Sequence, residues 1–137
     1  MAEAPAPPPD LRPFVGRSYT DLITEEQTAR YSATQLNMSP EGRARFARAM
    51  SLSAPAWIAE GGGASAFIVV GCEAGACAQA AGILAIDTQT GDVYAAVRDS
   101  AGRSVLISND RLQALVEATD PANRWDDPDA WADGAPT

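Results

Sequence analysis

Residues 66–77 read Ala66-Phe67-Ile68-Val69-Val70-Gly71-Cys72-Glu73-Ala74-Gly75-Ala76-Cys77, an apolar run that ends in two cysteines with four residues between them. Aromatic and β-branched side chains in succession suit a pleated surface, so a strand is expected there, beginning after the glycines at 61–63. Working outward toward the C-terminus, Gly82 to Thr88 and Val93 to Val97 are two more apolar runs. Gln89-Thr90-Gly91-Asp92 between them is a Gly-bearing hairpin connection, which makes the pair antiparallel. A second turn, Asp99-Ser100-Ala101-Gly102, leads to Ser104-Val105-Leu106-Ile107, giving four strands in a meander. Ser108 or Asn109 then caps a short helix with Leu112, Leu115 and Val116 on one side.

Toward the N-terminus the texture is helical. Ser39-Pro40-Glu41 starts a helix: Ser39 caps, and Pro40 stands where its missing N–H costs nothing. Phe46 and Met50, at i and i+4, give that helix an apolar stripe flanked by Arg43, Arg45 and Arg48. Thr24 with Gln27 matches a capping box and predicts a further helix over about residues 25–36. Pro55 ends the helical region, and Trp57-Ile58 is expected to anchor it against the sheet.

The chain has 137 residues, of which 46% are hydrophobic and 20% charged, enough apolar content for one folded domain. Prolines at 5, 7, 8 and 9 make residues 1–13 a flexible extended leader, read as the mature end left by a removed secretion signal. Residues 14–125 form the expected domain. The C-terminal region, with Asp120, Asp126, Asp127, Asp129 and Asp133 against Arg124, holds half of the net charge of −8. Residues 126–137 are read as an acidic, solvated tail, not a calcium loop, because the Gly and terminal Glu of an EF-hand are missing. Trp125 and Trp131 are expected to tuck back onto the domain or to mark a contact site.

Absences narrow the chemistry. The chain contains no His, and all ten basic residues are Arg, so imidazole bases, His-ligated zinc and Schiff-base lysines are excluded. No metal or other cofactor is expected. The acidic balance argues against nucleic acid. The longest apolar stretch, Ala64 to Val70, is far short of the roughly 20 residues of a membrane span. The enzyme class that survives is a carboxylate pair, Glu73 with Asp87 or Asp92, acting on a glycan. Two acids without a cleft or a known separation are poor grounds for that, and no enzymatic activity is expected.

Cys72 and Cys77 are spaced neither as a Cys-x-x-Cys redox pair nor as half of a zinc site that other Cys or His could complete. A local disulfide is the better reading, and it points to an oxidising compartment. Closing a loop of about six residues stabilises by only roughly 2 kcal/mol in the chain-entropy picture, so its main effect is local shape. Two readings stay open: a stiff knob that enters a partner's cleft with little entropy loss, or a plain clip at a hairpin corner. A free-thiol role is a third, disfavoured by the lack of a basic neighbour in sequence.

These residues resemble the periplasmic inhibitors of vertebrate lysozyme, the Ivy family. The carriers are Ala54-Pro55-Ala56-Trp57-Ile58 closing a helical half, the strand Phe67 to Val70, the Cys-x4-Cys loop, and Ile83-Leu84-Ala85-Ile86 with Val93-Tyr94-Ala95-Ala96-Val97. The resemblance covers about residues 14–125. It implies an α+β fold, a central antiparallel sheet of about four or five strands with helices packed on one side. It also implies a partner-binding loop formed by Cys72, Glu73, Ala74, Gly75, Ala76 and Cys77. In lysozyme-inhibiting members that loop reads Cys-Lys-Pro-His-Asp-Cys, and its His bonds the catalytic carboxylates of lysozyme. Here Gly75 stands for the His and Glu73 for the Lys.

The resemblance thus implies a periplasmic or secreted binding protein. Its partner would be a lysozyme or a lytic transglycosylase, with inhibition of animal lysozyme weak or lost. A structural or immunity-type interaction domain is the alternative. A homodimer is a further expectation, through Phe67, Tyr94 and an exposed sheet edge.

Overall fold

The computed structural model describes residues 10–119 apart from Gln27, Ala54, Gly62 and Ala78. The prolines of the leader and the acidic stretch with Trp125 and Trp131 lie outside the described residues. The architecture is α+β: one antiparallel six-stranded sheet with three helices packed against it.

The strands are β1 (Leu52–Ser53), β2 (Trp57–Gly61), β3 (Ala64–Cys72), β4 (Ala81–Asp87), β5 (Val93–Asp99) and β6 (Gly102–Ile107). The last four form the expected meander, β3-β4-β5-β6. The other edge of β3 is shared by two short strands end to end. β2 pairs from Trp57↔Ile68 to Gly61↔Ala64, and β1 pairs as Leu52↔Cys72 and Ser53↔Gly71. Trp57-Ile58 is therefore part of the sheet itself. In the gap between β1 and β2, the backbone of Ala56 exchanges hydrogen bonds with Gly16 and Arg17 (2.8 and 2.9 Å), which ties the N-terminal segment to that edge.

Side chains alternate between faces along a strand, so the two faces can be read from residue parity. Phe67, Val69, Leu84, Ile86, Ala95 and Val97 face α1 (Tyr19–Thr24) and α2 (Pro40–Ala49), packing with Tyr19, Leu22, Phe46 and Met50. Ala66, Ile68, Ile83, Ala85, Tyr94 and Ala96 face α3 (Asp110–Thr119) through Leu112, Leu115 and Val116. The single covered face implied by the resemblance thus holds for α1 and α2, while α3 covers the opposite one. The reason is the all-apolar β4, buried at every position, which has to be covered on both sides. Phe67 and Tyr94, expected to support a partner strand, are buried within these two layers and offer nothing to a second copy.

The expected cap geometries recur in α2 and α3. The Ser39 hydroxyl accepts from the Gly42 N–H (3.0 Å) with Pro40 opening the helix, and Asn109 accepts from the Leu112 N–H (3.0 Å). Among the described residues of 25–36 the expected α-helix does not form. Helix α1 ends at Thr24, Glu25 is extended, and only a 3-10 turn at Ala29–Tyr31 follows. Hydroxyls account for the difference by competing with helical hydrogen bonding. The Ser18 hydroxyl caps α1 at Asp21, Thr24 bonds back to the Asp21 carbonyl, and the buried Thr28 donates to the Leu22 carbonyl. The Tyr19 hydroxyl then bonds the Tyr31 carbonyl (2.6 Å) and folds the segment onto α1.

One ion pair joins α2 to the sheet. The guanidinium of Arg45 grips Asp99 through two hydrogen bonds of 2.8 Å, with 15% and 11% of the two side chains exposed. Hydrogen bonding to Arg45 holds the Asp99 carboxyl below the usual carboxylate range. A depressed folded-state pKa means stability that is present above about pH 4, the unfolded value, and is lost as pH falls through the folded value. Between about pH 5 and pH 2 the melting temperature of Asp99→Asn should therefore fall less than that of the parent chain. Equal falls followed by circular dichroism would remove this pair as a source of acid sensitivity.

Candidate functional site

The Cys72–Cys77 loop begins where β3 leaves the sheet, and both cysteines are buried and joined by a disulfide. Inside the ring, Glu73 to Ala76 form a β-turn closed by the Ala76 N–H on the Glu73 carbonyl (2.9 Å). Gly75 occupies its third position with φ +80°, the left-handed value that glycine adopts without steric cost. The Glu73 N–H bonds the Ala80 carbonyl (3.0 Å) across the base of the loop. Only Ala74 and Gly75 are exposed; Glu73 and Ala76 are half-buried.

Two features missed by sequence reasoning hold this turn in place. The first is Ser51, just beyond α2. Its hydroxyl accepts from the Ala74 N–H (3.0 Å) and donates to the Arg48 carbonyl (2.9 Å), with the Cys72 carbonyl 3.4 Å away. The second is a cross-strand pair of glycines, Gly71 opposite Gly82, under Met50 at the end of α2. A Cβ at Gly71 would lie 2.9 Å from the Leu52 carbonyl oxygen and 3.0 Å from the Met50 sulfur; at Gly82 it would lie 3.1 Å from the Ala49 Cβ. The end of α2 can thus sit directly on the base of the loop. Neither feature has a local signal, because Ser51 lies 23 residues from Ala74 and the glycines meet only once the β3–β4 register is known.

Electrostatically the loop carries one anion. Glu73 lies 3.9 Å from the Nε of Arg48, whose side chain is 58% exposed. The carboxylates paired with Glu73 in the glycan-enzyme reading are far away. Cys72 pairs with Ala81, whereas Asp87 ends the same β4 strand, six residues or about 20 Å along it, and Asp92 bonds the backbone of Asp87. Asp87 is instead a buried structural acid. It accepts from the Gln89 and Thr90 N–H groups (2.8 and 3.0 Å) and pairs with Arg111 on α3. Both pairs are wrong for glycoside hydrolysis, where two carboxyls flank one bond within roughly 10 Å. Among the described residues no group of His, Cys, Asp and Glu is arranged to hold a metal ion.

The family model described as inhibitor of vertebrate lysozyme (Ivy) matches residues 30–133. The chain belongs to the Ivy family. No curated protein and no solved structure matched it. Ivy is a family of inhibitors, not of enzymes, and this suggests a lysozyme-inhibitor-like role. The match takes in α2, all six strands and α3, and leaves α1 outside it. Within this Ivy-family chain a disulfide between Cys72 and Cys77 closes the loop.

Proposed function

We propose that this chain is a periplasmic or secreted Ivy-family binding protein. It engages a murein-cleaving enzyme, a lysozyme or a lytic transglycosylase, through the loop Cys72, Glu73, Ala74, Gly75, Ala76 and Cys77. The observation that carries this reading is the disulfide-closed turn, anchored at both ends and on Ser51, with only its apex exposed. A turn so restrained loses little conformational freedom on entering a cleft. On this reading the same apex makes inhibition of vertebrate lysozyme weak or absent. Gly75 supplies no imidazole, and Glu73 brings an anion toward acidic groups, at a cost of about 1 kcal/mol at 4 Å in water and about 4 kcal/mol at an intermediate dielectric.

The test is a turbidity assay with vertebrate lysozyme, in which the parent chain should give no nanomolar inhibition. In parallel, immobilised oxidised protein should retain a murein-cleaving enzyme from periplasmic extract and release it on reduction of the disulfide. Nanomolar inhibition would overturn the divergence of the loop. Retention of the same enzyme by the reduced protein would remove the closed loop from the contact.

A further inference from the structure

Among the described residues, two groups beside the loop apex have donors that no acceptor meets at hydrogen-bond distance. The first is the Gly75 N–H. The N–H groups of Glu73, Ala74 and Ala76 are taken by Ala80, Ser51 and Glu73, but among the described residues that of Gly75 has no acceptor, and Gly75 is exposed. The second is the guanidinium of Arg48. Its neighbour on the helix, Arg45, is committed to Asp99, Ser104 and the Gly102 carbonyl. Among the described residues the Arg48 side chain makes no hydrogen bond, and its single ion pair, to Glu73, sits at 3.9 Å. Arg48 is nonetheless held at the loop from below, since its carbonyl receives the hydroxyl of the same Ser51 that binds Ala74.

We propose that Arg48 and the Gly75 N–H form a carboxylate-recognising pair beside the loop, directed at a partner protein whose cleft carries acidic side chains. The inference rests on the loop being the contact surface, as argued above. A guanidinium offers a planar fork that matches a carboxylate in two hydrogen bonds, and a backbone N–H adds a third donor with no side-chain entropy to lose. Glu73 then acts as the internal counter-ion, competing with the partner's carboxylate for Arg48. The cation and donor absent from the loop side chains are supplied by the helix before it and by the main chain.

The experiment is isothermal titration of the full oxidised chain with two probes, a vertebrate lysozyme and a lytic transglycosylase, at low ionic strength. Arg48→Gln should weaken binding about tenfold, the scale of a lost charged hydrogen bond. Arg48→Lys should fall between Gln and the parent, and Glu73→Gln, which also removes a like-charge approach to the cleft, should tighten binding about threefold more in the parent than in Arg48→Gln. Arg43→Gln, which removes an equal charge from an exposed site on α2, should change affinity less than twofold. Ala74→Trp, a bulky group on the apex, should abolish binding. If Ala74→Trp abolishes binding but Arg48→Gln does not weaken it, or weakens it no more than Arg43→Gln, this inference falls and the loop reading stands. Unchanged binding by Ala74→Trp, or no binding of the parent to either probe, removes the loop reading and the inference with it.

Discussion

Inhibition of vertebrate lysozyme by the double variant Glu73→Lys, Gly75→His should exceed that of the parent chain by about a hundredfold. Replacing the anion removes a like-charge approach worth about 1–4 kcal/mol, depending on how far the cleft excludes water. The imidazole adds a hydrogen bond to a charged acceptor, worth about 1.5–3 kcal/mol. Against these stands the backbone. Gly75 has φ +80°, and a side chain there costs about 1–2 kcal/mol even though nothing lies within 4 Å of the added Cβ. The net gain is about 3 kcal/mol, the stated hundredfold.

A third change, Ala74→Pro, would copy the family loop more closely, yet it should add nothing. It removes the N–H that Ala74 gives to Ser51, which offsets the about 0.4–1 kcal/mol expected from a stiffer unfolded chain. The turbidity assay reads the parent chain and both variants. A double variant no better than the parent would mean that lysozyme does not meet this chain through the 72–77 loop.

The largest expected loss of stability is at Phe46. Its ring is fully buried between α2 and the sheet, meeting Tyr19 edge-on with centroids 5.7 Å apart and planes at 87°. Truncation to Ala removes that contact and leaves a cavity that the β3 and β4 side chains cannot fill, costing about 3–5 kcal/mol. For a domain of this size the melting temperature should drop by roughly 10–20 °C. Leu52→Ala, at a residue 38% exposed, should barely move it. Helix α2 carries Arg48 and leads into Met50 and Ser51, so Phe46→Ala should also loosen the base of the loop. Slower amide exchange is expected at Ala74 in the parent chain than in the variant. A melting temperature lowered by less than about 3 °C would show that α2 is not held by this contact.

Much of the fold was legible because its signals are local. The runs at 66–70, 82–88, 93–97 and 104–107 became β3 to β6, the turns between the last three carried the expected Gly, and Ser39 and Asn109 capped as read. Local reasoning failed where two local signals competed. Thr24 with Gln27 and Ser18 with Asp21 are both plausible helix starts, and burial of Leu22, Thr28 and Tyr31 decided for the earlier one. It failed again at Trp57-Ile58, where the residues pair with β3 through a partner that no spacing in the chain announces.

By itself the sequence determined the meander and the absence of an imidazole from the Cys-x4-Cys loop, set by neighbours within a few residues, and it favoured a local disulfide, while the α+β class came with the family resemblance. Tertiary structure alone decided the placing of α3 on the far face, the separation of Glu73 from Asp87, and the seating of Ser51, Arg48 and Met50 under the loop. Those outcomes depend on strand register and on which face each side chain takes. A shift of one residue in register would have turned the two sheet faces over, though not closed the distance from Glu73 to Asp87, and the summed burial of both faces selects the register.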